Sequence, residues 1–301
     1  MSAGTAQSVT GIGKLVVIGV GLIGGSFSLA LKKAGFVQHV VGVGRSRANL
    51  DTAASLGVID EVAGDVGDAV HNADLVLIAT PVGQMPEVMA QIAPALDERT
   101  VVTDAGSTKQ DVIAYAARFL GRHVERFVPA HPIAGTERSG ATAAFAELYR
   151  DRNVILAPRA ATQSSAVNLV RAAWEACGAR LVELEAREHD EIFAAVSHLP
   201  HVVAFALVSM LAKRQDAATL LGFSGGGLRD TVRIAGSSPE MWRDICMANR
   251  DALIGLLDDY VQELERARAA IHSGDGNALE GMFERARSAR RRWLLKDQSS
   301  S

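Results

Sequence analysis

The chain is poor in cysteine, with only Cys177 and Cys246 among 301 residues. They lie far apart and match no metal-ligand spacing, so neither a disulfide framework nor a metal site is indicated. A reducing compartment, the cytoplasm, is the expected location. No segment reaches the roughly 18 unbroken apolar residues of a membrane span. Positive charge is not in excess: 31 Lys and Arg face 34 Asp and Glu, for a formal net charge of -3. That balance gives no reason to expect nucleic acid or an anionic membrane as partner. Residues 1–13 carry no charged side chain. They lack the basic start and apolar run of a secretory signal, so a disordered leader is expected there. What the chain does have is an ordinary globular balance, 48% hydrophobic and 22% charged. Its length suggests two domains.

Residues 14–157 alternate strand-like and helix-like runs. Lys14–Gly19, Val40–Val43, Leu75–Thr80, Thr100–Thr103, Phe127–Ala130 and Val154–Ala157 read as strands. Leu22–Ala34 and Arg47–Leu56 carry helical spacing and stop at Gly35 and Gly57, where glycine suits a helix end. A further unit, a helix near Gln163–Cys177 and a strand at Arg180–Leu184, follows. Such alternation implies right-handed crossovers and a mainly parallel sheet. From Glu188 onward the strand signal ends. Apolar residues then recur at helical spacing through Ile192–Lys213, Ala217–Leu221, Met241–Ile271 and Ala278–Leu294. Val202–Leu211 is apolar nearly all round, which suits a large core or a subunit contact; a homodimer through this region is expected. The expected division is 14–186 for an α/β domain, 187–296 for a helical domain and 297–301 for a disordered tail.

Gly19-Val20-Gly21-Leu22-Ile23-Gly24 fits G-x-G-x-x-G between a strand and a helix. That context points to a dinucleotide. Gly19 permits the tight turn, Gly21 lets the pyrophosphate approach the backbone, and Gly24 lets helix and strand pack closely. The amides at the helix start, from Leu22 and Ile23 on, face the anion. Thr80 and Pro81, at the end of a buried strand, are grouped with the cofactor-binding residues. The second strand ends Val43-Gly44-Arg45-Ser46, without the carboxylate that usually binds the ribose 2′-hydroxyl of NAD. Arg45 and Ser46 suit a 2′-phosphate instead, so NADP is expected in preference to NAD.

The most informative stretch is His131-Pro132-Ile133-Ala134-Gly135-Thr136-Glu137, which gathers an imidazole, a hydroxyl and a carboxylate just past a strand. In open parallel sheets ligands lie outside the carboxyl ends of strands. Asp104-Ala105-Gly106-Ser107-Thr108-Lys109 follows another strand. In the helical region stand Ser197-His198-Leu199-Pro200-His201, Arg229-Asp230-Thr231-Val232-Arg233-Ile234-Ala235 and Ser238-Pro239-Glu240-Met241-Trp242. Each alone has a plainer reading. Ser107 also suits a helix cap, His198 and His201 suit a core, and Asp230 with Arg233 suits an i, i+3 ion pair.

Together these segments resemble the prephenate/arogenate (cyclohexadienyl) dehydrogenase family of tyrosine biosynthesis, over nearly all of residues 14–275. The resemblance implies a Rossmann-type, doubly wound, mainly parallel α/β sheet followed by an all-helical dimerisation domain. It also implies oxidative decarboxylation of prephenate or arogenate, with hydride passing to NADP or NAD. His131 would accept the hydrogen bond of the ring hydroxyl, a task for a neutral imidazole. Ser107 would orient His131 and the nicotinamide. Arg233 would bind a substrate carboxylate, and His201, Ser197, His198 and Thr136 would line the pocket. Glu137, Asp230 and Trp242 match positions around the pocket entrance, with Glu137 and Asp230 expected to hold Arg233 by charge. No separate regulatory domain or mutase segment is expected, so any tyrosine would act at the active site.

Two other readings fit parts of the pattern. A β-hydroxyacid-type NADP dehydrogenase would use a lysine of the helical region, but Lys213 and Lys296 stand in no motif. A non-catalytic NADP-sensing dimer would need none of His131, Ser107 and Arg233.

Overall fold

The computed structural model describes residues 11–136 and 138–299. The expected leader falls mostly outside the described residues, and Glu137 lies outside them. The chain runs β1 (Ile12–Ile18), α1 (Leu22–Lys33), β2 (Val37–Val43), α2 (Arg47–Ser55), β3 (Glu61–Val62), α3 (Val66–Val70), β4 (Leu75–Ile78), α4 (Met85–Ile92), β5 (Val101–Asp104) and α5 (Gln110–Phe119). It continues through β6 (Phe127–Val128), β7 (Ala130–Pro132), β8 (Asn153–Leu156), α6 (Ser164–Ala176) and β9 (Arg180–Glu183). The helices α7 (Ala186–Phe193), α8 (Leu199–Ala212), α9 (Ala217–Gly222), α10 (Gly226–Val232), α11 (Pro239–Ala248), α12 (Arg250–Ser273) and α13 (Gly276–Ser299) complete it.

Six strands form one parallel sheet in the order β3-β2-β1-β4-β5-β6. Alternate residues of β1 serve opposite faces: Leu15 and Val17 join one core, Val16 and Ile18 the other. This double burial is why the strand reads as a continuous apolar run. The first core holds Phe27, Tyr149 and Trp174. The second holds Met85 and Met89 of α4 and also Trp242 and Ile245 of α11, so α11 is part of the sheet's packing. The strand order reverses between β1 and β4, the usual place for a dinucleotide in such a sheet.

The expected strand Phe127–Ala130 is two strands. Pro129 has no N–H to donate, and the chain changes sheets there. Val128 pairs with Thr103 in the parallel sheet, whereas Ala130 pairs with Leu156 in a second sheet of order β7-β8-β9. In that sheet β7 and β8 are antiparallel, and β8 and β9 parallel. His131 therefore sits within β7, opposite Ile155, rather than in a turn beyond a strand.

Three helix boundaries also differ from expectation. The helix expected at Ile192 starts at Ala186, and a π-helical turn, Ala194–His198, separates α7 from α8. Pro200 lacks the N–H that the carbonyl four residues back would use, which favours such a widened turn. The expected run Met241–Ile271 breaks at Asn249, whose side chain is buried and hydrogen-bonded elsewhere. Helix α13 extends to Ser299 and takes in positions 297–299 of the expected tail. At the other end, β1 takes in residues 12 and 13 of the expected leader.

The chain packs as two compact units, Met1–Arg250 and Asp251–Ser301. The second consists of the helical pair α12 and α13, with Asp275 capping the start of α13. In the first, α8 buries only Ala204 completely, although it is the most apolar helix. The helical stretch Ala186–Ala212 has a mean hydropathy of 1.8 over its most apolar window, long and apolar enough by composition to cross a bilayer. Its His189 and Asp190 are nonetheless buried in hydrogen bonds to the sheet region.

Candidate active site

The nucleotide loop has the geometry its glycines suggest. Gly19 holds φ at 99°, and a Cβ there would meet the Ala79 carbonyl oxygen at 2.5 Å. A Cβ on Gly24 would meet the Gly19 carbonyl oxygen at 2.4 Å, so only glycine lets α1 approach the loop. A Cβ on Gly21 would meet nothing within 4 Å, leaving backbone exposed for an anion. Helix α1 has no acidic residue in its first turn, so its positive end is not neutralised. Leu22 is buried, and the Ile23 carbonyl accepts from the Tyr149 hydroxyl at 2.6 Å, which anchors the turn. Across the switch point, the buried Thr80 hydroxyl has no hydrogen-bond partner among the described residues, and Pro81 precedes a 3₁₀ turn. The loop, its amides and the orphaned hydroxyl fit a dinucleotide pyrophosphate.

At the adenosine end, Arg45 is 75% exposed, with Nη1 3.8 Å from Glu240 Oε1. Ser46 caps α2, accepting from the Asn49 amide at 3.2 Å.

The residues expected to react lie beyond β5 and β6. A buried ion pair sets them in place. Asp104 ends β5 and Lys109 precedes α5; both side chains are 0% exposed, with Nζ 2.5 Å from Oδ2. The same Asp104 accepts from the amides of Gly106 at 2.7 Å and Ala130 at 3.0 Å. One carboxylate thus fixes the residue before Ser107 and the residue before His131. Ser107 itself is half-buried and does not cap α5. That helix is capped from outside by Asp190, whose carboxylate oxygens accept from Lys109 N at 2.8 Å and Gln110 N at 2.9 Å.

His131 is half-buried and holds a 2.8 Å hydrogen bond between its Nδ1 and Nε2 of His189. His189 in turn bonds Asp190 through Nδ1, also at 2.8 Å. Phe193 packs on both rings, with centroids 4.8 Å from His131 and 4.6 Å from His189. Burial, then the nearby His189, Lys109 and His198, hold the His131 pKa well below 6.5, so the imidazole is neutral at pH 7. His198 is buried and pushed down to about 4, chiefly by that burial. Its Nδ1 lies 3.1 Å from the Asn249 side-chain nitrogen.

His201 stacks on Trp242 with ring centroids 3.5 Å apart, and its Nδ1 is held by the Ser197 carbonyl at 2.8 Å. Ser197 thus contributes through its backbone. Trp242 is buried rather than at an entrance, and its indole N–H has no protein partner among the described residues. Burial lowers the His201 pKa, and the charge of Arg233 adds to that, which places the guanidinium near this ring. The expected Asp230–Arg233 pair does not form. Helix α10 ends at Val232, Arg233 begins a 3₁₀ turn, and Asp230 is exposed. Thr136 is exposed, its hydroxyl accepting from the Arg138 amide.

The sequence reading missed His189, Asp190, Asn249, Lys109 and Asp104 as parts of the site. A cavity of about 440 Å³ between α8 and α11 is lined by His201, Trp242, Phe205 and Cys246. His131, Ser107 and Arg233 do not line it.

Known proteins are similar to this chain in sequence and fold. A model of the prephenate dehydrogenase nucleotide-binding domain matches residues 27–183, and one of the prephenate dehydrogenase dimerization domain matches residues 185–285. Cyclohexadienyl dehydrogenase of Zymomonas mobilis is 39% identical over 92% of this chain and 94% of its own. Prephenate dehydrogenase of Aquifex aeolicus, solved with hydroxyphenyl propionate and NAD+, superposes with a TM-score of 0.85 at 33% identity, covering 93% of this chain and 98% of its own. Arogenate dehydrogenase of Synechocystis superposes with a TM-score of 0.75 at 26% identity, covering 93% and 99%. The chain belongs to the prephenate/arogenate dehydrogenase family, NAD(P)-linked oxidoreductases of tyrosine biosynthesis.

Proposed function

We propose that the chain oxidatively decarboxylates prephenate and arogenate, with His131 as the proton acceptor. The observation that carries this reading is a neutral imidazole held by hydrogen bonds beyond β6, beside the Ser107 loop. A bound nicotinamide supplies the hydride acceptor. His131 takes the hydrogen bond, then the proton, of the ring hydroxyl as the hydrogen on the same carbon departs with its electron pair. The bond from ring to carboxylate breaks, its electrons complete the aromatic ring, carbon dioxide leaves, and the phenolate takes its proton back from His131. Ser107 orients the imidazole and the nicotinamide, Arg233 binds a substrate carboxylate, and His201, His198 and Trp242 line the pocket. Both substrates share the reacting ring and differ only in the keto or ammonium group of the side chain. Tyrosine, the product from arogenate and a close likeness of the product from prephenate, would compete for the same site.

The domain roles we assign are dinucleotide binding to 14–186 and substrate binding and dimerisation to 187–296, supported by family-model matches at 27–183 and 185–285. Homodimerisation is supported by the poorly buried apolar α8 and by Phe223, which is 88% exposed. A cytoplasmic location is supported by Cys177 and Cys246 as free thiols.

NADP preference rests on Arg45 and on the absence of a carboxylate at Gly44. The test follows reduced-nicotinamide absorbance with NADP or NAD against prephenate or arogenate. Reduction with NADP and either substrate is expected. Turnover with NAD alone would overturn the cofactor preference. No turnover in any combination, with NADP binding shown by titration, would overturn the reaction and favour a sensor. Arg233→Ala is expected to raise substrate KM about 10–100-fold, the scale of a lost charged hydrogen bond. An unchanged KM would remove Arg233 from the carboxylate role.

A further inference from the structure

We propose that Asp190 anchors two opposite tautomer locks, one fixing His131 with its proton on Nδ1 and the other fixing His198 with its proton on Nε2. The first lock starts at the carboxylate. Burial raises the Asp190 pKa, but hydrogen bonds from His189 and from the Gln110 and Lys109 amides outweigh it and keep the group ionised. An ionised carboxylate only accepts, so His189 must donate from Nδ1. Burial also keeps His189 neutral. It therefore has one proton, already placed, and its Nε2 is a bare acceptor. His131 must donate to that atom from Nδ1, which leaves its own Nε2 as a bare lone pair. The outcome is the form that can take a proton from a substrate hydroxyl.

The second lock starts at the Asp190 main-chain carbonyl. The Asn249 side-chain atom 2.7 Å from it must be the amide nitrogen, since a carbonyl only accepts. The other hydrogen of that amide points to His198 Nδ1 at 3.1 Å, which is then the bare nitrogen. His198 carries its one proton on Nε2, a buried atom with no protein partner among the described residues. The site thus presents one acceptor and one donor, both set by a single residue of α7. The catalytic consequence rests on His131 being the proton acceptor; the tautomers themselves do not.

Long-range proton–nitrogen correlation spectra of protein labelled with ¹⁵N in its imidazoles read tautomers directly. They would be taken about two units above the ordinary histidine pKa and assigned with His131→Asn and His198→Gln. The expected spectrum has Nδ1 protonated in His131 and His189, and Nε2 protonated in His198. His189→Phe leaves the Asp190 cap on α5 intact but removes the first lock. It should move His131 toward the Nε2-protonated form and lower kcat about tenfold or more, with substrate KM little changed. His189→Gln, whose amide can donate to Asp190 and accept from His131, should retain several-fold more kcat than His189→Phe. A wild-type His131 protonated on Nε2, or a His131 signal unmoved in His189→Phe, would overturn the proposal. The expected spectra together with an active His131→Asn enzyme would uphold the locks and overturn the catalytic reading of His131.

Discussion

Replacing His131 with asparagine is expected to lower kcat by about 10²–10⁴-fold while substrate KM changes little, the usual scale for a lost general base. Among the described residues the side chain makes one hydrogen bond to the protein, through Nδ1. Asparagine can keep that bond but offers no basic nitrogen. The pH profile gives a second readout. Burial, aided by His189, Lys109 and His198, depresses the His131 pKa well below 6.5. The neutral form is the competent one, so kcat/KM should be level above that pKa and fall about tenfold per unit as the pH drops through it. The acidic limb of the wild-type enzyme therefore lies below pH 6.5, and the variant lacks it. Acid also destabilises the fold in this window. Buried histidines have depressed pKa values in the folded state, so the stability they contribute is present above 6.5. It is lost as the pH falls toward the folded values, about 4 for His198. Melting curves at each pH separate the two effects. A variant with wild-type kcat, or with the acidic limb intact, would remove His131 from the chemistry.

The elements that were legible in the sequence are those whose cause is local. The strand of β1 is apolar on both faces, and Gly19 and Gly24 of its loop answer contacts within a few residues or across one neighbouring strand. The division of Phe127–Ala130 was less visible, because Phe127, Val128 and Ala130 suit a strand wherever they lie. Only the missing N–H of Pro129 marks the change of sheet. The relay behind His131 left no local mark at all. His189 and Asp190 look like polar residues at the start of an amphipathic helix, and their partners stand 58 and 81 positions away. Lys109 is fully buried, and nothing in the sequence around it marks that. Periodicity marks which face of an element is buried. It carries no information on which distant side chain a buried polar group will meet.

Lys109→Met is expected to cost about 3–5 kcal/mol of stability, more than any exposed ion pair here could, because it leaves the Asp104 carboxylate buried without a countercharge. For a unit of this size that is a fall in melting temperature of about 6–20 °C. Asp104 keeps its bonds from the Gly106 and Ala130 amides, so the loss is electrostatic rather than a collapse of the turn. A paired change, Lys109→Met with Asp104→Asn, removes both charges. It should recover a large part of the loss, since a neutral amide oxygen can still accept from those two amides. The single variant also predicts a kinetic effect. The Lys109 ammonium disfavours the protonated forms of both His131 and His189. Without it the His131 pKa rises, and the acidic limb of kcat/KM moves to higher pH in whatever fraction of the protein remains folded. Calorimetry on the single and double variants reads the first effect, and the pH profile of the single variant reads the second. Wild-type stability in Lys109→Met would show that the Asp104 carboxylate is not a buried, unpaired charge. An unshifted limb would show that the ammonium does not act on His131. The two results are independent because one reads the energy of the ion pair and the other its field at the reacting imidazole.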